Sequence, residues 1–253
     1  MCGRFTLTAT PDQVALFLAL MDMEAFPPRY NVAPTQPILM AIAGPPRDPG
    51  SNLPDRRALL VRWGLIPRWA KDPKSLPLLI NARAETAGER AAFKVPLRHR
   101  RALVPATGFY EWRTVGRTRQ PYFLKPRQGG LVAFAGLMET YADPNGSEID
   151  TGAILTTEAS PDIASIHNRM PVVVRPEDFS RWLDCRRLEP RDVADIMRPA
   201  EPGLFEAIPV SDLVNKVANT GPEIQARVAA VETVAAAEPR RRLPPDDGQL
   251  SLL

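Results

Sequence analysis

Proline punctuates this chain from end to end. There are 28 prolines in 253 residues, about 11%, against the ~5% of ordinary proteins. Each one fixes its own φ, removes a backbone N–H and pushes the residue before it toward extended backbone. Because the prolines are spread throughout, they predict short elements with many stiff connections rather than one disordered tract.

Ile38–Ala43, Ala58–Trp63, Phe109–Arg113, Tyr122–Lys125, Leu131–Met138, Ala153–Thr157 and Val172–Val174 are apolar or alternating runs bounded by Pro, Gly and Asn, the pattern of short strands. Phe109–Arg113 and Tyr122–Lys125 read as the arms of a hairpin around Val115-Gly116-Arg117, and Asp143-Pro144-Asn145-Gly146 reads as a turn between two further strands. Thr10 as N-cap, Pro11 at the first helical position and Gln13 at the capping-box position predict a helix over the apolar run that follows. Helical patterns recur near Glu85–Lys94, Pro176–Leu183, Pro190–Met197 and Val210–Val217. Strands and helices do not alternate regularly, which favours an α+β fold over a doubly wound one. The expectation is a single domain over residues 1–228, built on antiparallel, barrel-like β-sheets with flanking helices. Residues 229–253, rich in Ala, Pro, Arg and Asp, read as a flexible linker and tail.

With 44% hydrophobic residues the chain supports a sizeable core, and a net charge of +3 leans only mildly toward acidic partners. Two cysteines make no disulfide framework, and with two histidines they make no zinc-type cluster, so no metal or cofactor is expected. The apolar run Val14–Met21 is far shorter than the ~20 residues of a membrane span and lacks the flanks of an export signal. A cytoplasmic protein is expected.

Chemistry concentrates at a few positions. Cys2 follows the initiator Met1, and trimming Met1 would leave an α-amine and a thiol on adjacent carbons. Their reference pKa values, near 8 and 8.5, leave both partly nucleophilic at neutral pH. Such a pair attacks an aldehyde in sequence, giving a Schiff base and then a five-membered thiazolidine. An incidental cysteine is the plain alternative. Asn81 and Arg83 follow the apolar Leu78-Leu79-Ile80 and so sit at a strand end, where site residues are common; a capping Asn and a solvated Arg would look the same. Glu111 lies between aromatics in Gly108-Phe109-Tyr110-Glu111-Trp112. Buried, its carboxyl would be raised in pKa and suited to proton donation; on a wet face it would not. His167 can shuttle protons near neutral pH or serve only structure. His99, in a basic run, is the poorer candidate. Arg62-Trp63-Gly64-Leu65-Ile66-Pro67-Arg68-Trp69 interleaves cations with aromatics, as single-stranded nucleic-acid binders do, although two tryptophans in a core would read alike. Cys185 reads as structural.

Taken in order, Met1-Cys2-Gly3-Arg4-Phe5, Arg29-Tyr30-Asn31-Val32-Ala33-Pro34-Thr35-Gln36, Arg62–Pro67, Asn81–Glu85, Gly108–Trp112 and His167–Pro171 resemble the SRAP family, the SOS-response-associated peptidase-like or abasic-site-processing proteins. Val214-Asn215-Lys216 and Gly221-Pro222-Glu223 close the match, while Val217–Thr220 is less Asn/Arg-rich than the family pattern. The resemblance implies that Cys2 attacks the aldehyde of an abasic site in single-stranded DNA and forms a thiazolidine crosslink. It implies that Asn81 orients Cys2 or the sugar, that Glu111 is the acid/base of ring opening, and that His167 handles protons on the sugar hydroxyl and the Schiff base. Arg4, Asn31, Arg83 and Arg169 would contact phosphates or the lesion, and Trp63 would help form a platform for flanking bases. The same nucleophile could remove Met1 by self-cleavage.

Outside that match, Gln249-Leu250-Ser251-Leu252-Leu253 looks like the pentapeptide with which bacterial repair proteins bind the sliding clamp, with Leu where Phe is usual. The expected protein is a nucleoid-associated monomer. Two other readings stay open: an N-terminal-nucleophile cysteine peptidase acting on peptides, and a non-catalytic binder of single-stranded DNA.

Overall fold

A computed structural model describes residues 2–21, 23–45 and 55–231. The strands are β1 (Phe5–Leu7), β2 (Arg29–Val32), β3 (Pro37–Ala43), β4 (Arg56–Trp63), β5 (Asn81–Arg83), β6 (Arg101–Ala106), β7 (Gly108–Val115), β8 (Thr118–Pro126), β9 (Val132–Ala142), β10 (Glu148–Glu158), β11 (Arg169–Pro171), β12 (Val173–Val174) and β13 (Phe205–Pro209). The helices α1 (Pro11–Leu18), α2 (Lys94–His99) and α3 (Phe179–Leu183) are short. Prolines bound most of these elements. β9 and β10 reach 11 residues each, because both occupy proline-free stretches.

The larger sheet closes on itself. Its order β10-β4-β3-β6-β9 is completed by β9 pairing back to β10, giving a five-membered ring. The smaller sheet, β13-β8-β7-β1-β2, is antiparallel throughout. The ring departs from the antiparallel expectation along one edge of β10, where β4 and then β5 run parallel to it. Parallel neighbours need a long connection, and the chain supplies one by building β6 to β9 before it returns. The opposite edge of β10 is taken by β9 and then β11.

Both faces of the central strands are buried, as their near-continuous apolar sequence requires. Leu103, Ala135, Leu137 and Leu155 pack in one cluster with Val14 and Leu18 of α1 and Phe179 and Trp182 of α3. Ala102, Val104, Phe134 and Ile154 pack in another with Cys2, Phe5, Phe109 and Phe205 of the smaller sheet. Edge-on aromatic contacts link the two sheets there: Phe5 to Trp63 at 5.3 Å, and Phe109 to Phe134 at 5.9 Å.

The start of α1 follows its sequence signals: the Thr10 side chain accepts from Gln13 N–H, and Gln13 reciprocates. The predicted helix over Glu85–Lys94 does not form. Most of that stretch is a series of turns, and α2 begins only at Lys94. Val210–Val217 likewise gives one 3₁₀ turn, Asp212–Asn215. That turn belongs to a loop closed by a bridge between Val210 and Arg227. The loop buries Val214 and Ile224 against Tyr110 and Phe123, on the outer side of the smaller sheet. Among the described residues no helix is long and apolar enough to cross a membrane. The predicted tail peptide, Gln249–Leu253, lies outside the described residues.

At Gly108 the neighbouring strand β8 leaves no room for a side chain. A Cβ there would stand 2.4 Å from the Phe123 ring and 2.6 Å from the Leu124 carbonyl oxygen. The carbonyl belongs to the paired strand and cannot swing away. Gly108→Ala should therefore lower stability by about 1–3 kcal/mol with an unchanged denaturant slope, measured by urea unfolding.

Candidate active site

The site is set by strand register. Phe5 pairs with Phe109 and Thr6 with Gly108, so continuing β1 toward its start brings Gly3 opposite Glu111, next to Cys2. Two-residue alternation turns Phe5 and Phe109 into the core, and Glu111 shares that side. Cys2 is 0% exposed and Glu111 2% exposed. From the other side, β5 runs alongside β10 with Asn81 at its first residue, not at the end of a preceding strand. Asn81 Nδ2 donates to the Cys2 carbonyl oxygen at 2.9 Å. Its Oδ1 is buried without a hydrogen-bond partner. His167 precedes β11, and its Nδ1 lies 3.9 Å from Glu111 Oε1. Residues far apart in sequence, Cys2, Asn81, Glu111 and His167, thus meet in one place.

Burial governs their proton affinities. It pushes the Glu111 carboxyl from its ordinary 4.5 up to about 7. It pushes the Cys2 thiol well above its usual value, and the nearby Glu111 charge acts in the same direction. For His167 it works the other way, lowering the imidazole, because here burial penalises a cation. The Arg169 N–H donates to His167 Nδ1 at 3.0 Å, which leaves the ring proton on Nε2 in the neutral form. At neutral pH the arrangement holds a neutral thiol, a neutral imidazole and a carboxyl near its midpoint. That combination can give and take protons without a permanent charge.

The remaining expected residues fall in three settings. Arg4 and Asn31 face the loop that follows β13: Arg4 Nη1 donates to Asn31 Oδ1 and to the Val214 carbonyl, each at 2.7 Å. Arg169 is held by a two-pronged bond to Glu85, both contacts 2.8 Å, and by the Thr156 carbonyl. Arg83 ends β5 and is exposed. Trp63 departs from expectation. It is 0% exposed, its ring packs edge-on against Phe5, and its Nε1 donates to the Ile80 carbonyl just before Asn81. It supports the strand that carries Asn81 and offers no face to a base. Trp69 of the same segment, 58% exposed, does.

Two participants escaped the sequence reading. Glu85, within the Asn81–Glu85 motif, fixes Arg169 across 84 residues of chain. Arg119, exposed on β8, lowers the proton affinity of both Glu111 and His167 through its charge. Only the β7–β8 register, with Thr114 opposite Arg119, brings it there, and no local signal marks it.

The raised Glu111 carboxyl has a cost to folding. Below pH 4.5 it is protonated in both states and contributes nothing; from 4.5 to 7 the unfolded chain ionises first, so stability falls as pH rises. Glu111→Gln should remove that slope. The variant should be more stable than the parent at pH 8 by on the order of 2–3 kcal/mol, read by urea unfolding at pH 4.5 and 8.

The model of the family described as SOS response associated peptidase (SRAP) matches residues 1–217. The chain is 39% identical over 228 residues to the abasic site processing protein YoqW of Bacillus subtilis, covering 88% of this chain and 98% of the relative. It is 33% identical to the abasic site processing protein HMCES of Gallus gallus, over 88% of this chain and 76% of that one. A solved structure from Bacteroides thetaiotaomicron shares the fold with a TM-score of 0.72 at 24% identity, covering 90% of this chain and all of that one. An ordered set of motifs, a family model over most of the chain and a shared fold agree: the chain belongs to the SRAP family.

Proposed function

We propose that this protein captures abasic sites in single-stranded DNA as a covalent thiazolidine crosslink through Cys2, once Met1 has been removed. The observation that carries this reading is the burial of Cys2 beside the equally buried Glu111, with Asn81 holding the Cys2 carbonyl; burial pushes the Glu111 carboxyl up to about 7. The names of the relatives, abasic site processing proteins, supply the substrate.

In the closed deoxyribose the aldehyde is masked as a hemiacetal. Protonated Glu111 gives its proton to the ring oxygen while neutral His167 accepts the C1′ hydroxyl proton, and the ring opens. The Cys2 α-amine adds to the aldehyde, and loss of one water leaves a Schiff base. The thiol then adds to the imine carbon, its proton passes to the nitrogen, and the five-membered ring closes. Amine, thiol and aldehyde become thiazolidine and water, with no oxidant or metal involved. A Glu111 that titrates near working pH can serve as acid in one step and base in another. In this reading the Asn81 Oδ1, buried without a hydrogen-bond partner, accepts from the α-amine or the sugar hydroxyl.

Exposed Arg83 and Arg119 supply cations for the flanking phosphates, Arg169 borders the lesion, and Trp69 offers a flat face for stacking. The same thiol can attack the Met1 carbonyl, freeing the Cys2 amine as a thioester forms, which water then hydrolyses.

The test is incubation with single-stranded DNA carrying one abasic site, followed by denaturing electrophoresis. The parent should give a slower, heat-stable band, and Cys2→Ala none. Cys2→Ser keeps the amine, so borohydride should trap a Schiff base although no heat-stable band survives. Glu111→Gln should slow the reaction about 10²-fold or more. A parent protein that gives no band rules the reading out.

The tail peptide Gln249–Leu253 extends the proposal to a partner: two leucines and a glutamine amide fit the clamp-binding pattern. Deleting these five residues should abolish retention on immobilised sliding clamp and leave crosslinking unchanged; undiminished retention would discard the tether.

A further inference from the structure

We infer that Arg4 and Asn31 are positioning residues, through which the loop of residues 211–227 holds the Cys2 nucleophile in register with Glu111. The inference rests on Cys2 being the nucleophile, and it reassigns two residues that the sequence places at DNA.

Arg4 joins three parts of the site. Its carbonyl oxygen accepts the Cys2 thiol at 3.6 Å and the Tyr110 N–H at 3.0 Å, so one backbone atom ties the nucleophile to the residue before Glu111. Its side chain points to the other side of β1 and enters the loop, where it donates to the carbonyls of Val214 at 2.7 Å and Asn215 at 3.2 Å. Asn31 completes the joint. Its Oδ1 accepts from Arg4, and its Nδ2 sits among the carbonyls of Val214, Lys216 and Asn219, at 3.3, 3.2 and 2.9 Å. Asn31 is 3% exposed, so neither its amide nor the inner prong of Arg4 is offered to a ligand.

The loop is itself braced against the strand that carries the acid. Trp112 Nε1 donates to Asn215 Oδ1 at 2.8 Å, and Gln225 Nε2 donates to the Tyr110 hydroxyl at 3.2 Å. These flank Glu111 on both sides in sequence. The geometry is a clamp: the loop grips β7 directly and β1 through Arg4, and the two strands carry acid and nucleophile. β1 has only three residues and a register irregularity against β2, so it has few bonds of its own to resist slipping. Displacing reacting groups by about 1 Å costs rate steeply, while binding remote from that point is untouched.

A positioning role and a phosphate contact predict different measurements. The probes are single-stranded DNA with an abasic site, and the same DNA with the unreactive tetrahydrofuran analogue. For Asn31→Ala, the crosslinking rate at saturating DNA should fall about tenfold or more, with affinity for the analogue within twofold of the parent. Arg4→Gln should behave likewise, and its binding should keep the parent's salt dependence. A lost phosphate contact would instead weaken binding and reduce the salt slope by about one unit. Asn219→Ala removes only an exposed side-chain bond, to the Leu213 carbonyl at 2.8 Å. It leaves the core intact and should give a smaller loss of the same kind. Reduced affinity with an unchanged saturating rate in Asn31→Ala or Arg4→Gln overturns the inference.

A second readout separates this inference from the proposed function. In a Cys185→Ser background, Cys2 should react with iodoacetamide about tenfold faster in Asn31→Ala than in the parent, because the clamp that keeps it buried is loosened. Equal alkylation rates reject the clamp even if the parent forms no DNA crosslink. Faster alkylation supports it in that case too.

Discussion

The whole site hangs on the pairing of β1 with β7. Two paired residues on each strand, Phe5 with Phe109 and Thr6 with Gly108, decide that Cys2 is carried into the core instead of lying in solvent. Chain termini usually fray, since little holds their first residues. Here three large aromatics, Phe5, Trp63 and Phe109, fill the space beneath that pairing, and Gly108 lets the neighbouring strand approach. With the register fixed, Glu111 stands beside Cys2, and the remaining site residues arrive from the two edges of β10.

Closing that pocket exchanges stability for reactivity. A carboxyl, a thiol and an imidazole removed from water all lose their charged forms, and each therefore titrates away from its ordinary range in the direction that neutralises it. A fold selected for stability alone would place apolar groups there. The strain is contained because the polar neighbours are few and are fixed by backbone: Asn81 on the Cys2 carbonyl, and the Arg169 amide on His167. Glu85 and Thr156 hold Arg169 from behind, so the residue that positions the imidazole is itself anchored.

How much of this was legible in the sequence follows from the range of the interactions. The long apolar strands and the capping box of α1 are local patterns, and they stand where they were expected. The short strands β1, β2, β5 and β11, which carry or adjoin the site, were not read as strands. Three or four residues give too little alternation to register, and their conformation comes from partners outside the motif, such as β7 for β1 and β10 for β5. Motif order brought Cys2, Asn81, Glu111 and His167 to notice, but distance alone could show that they meet. Arg4 and Asn31 illustrate the opposite limit: a cation and an amide in a polar motif look the same whether they face a phosphate or the carbonyls of their own chain. Trp63 is a similar case, a stacking surface by composition and a buried strut in space.

The β1–β7 pairing also orders events in time. Its two halves lie about 100 residues apart, so a chain growing at ~5–20 residues per second leaves the β7 edge of its first strand unpaired for roughly 5–20 s, although β2 can take the other edge sooner. During that interval the strand that brings Glu111 beside Cys2 is not yet in place. Afterwards it is sealed at 0% exposure. The seal over Cys2 therefore waits for a strand made about a hundred residues after it.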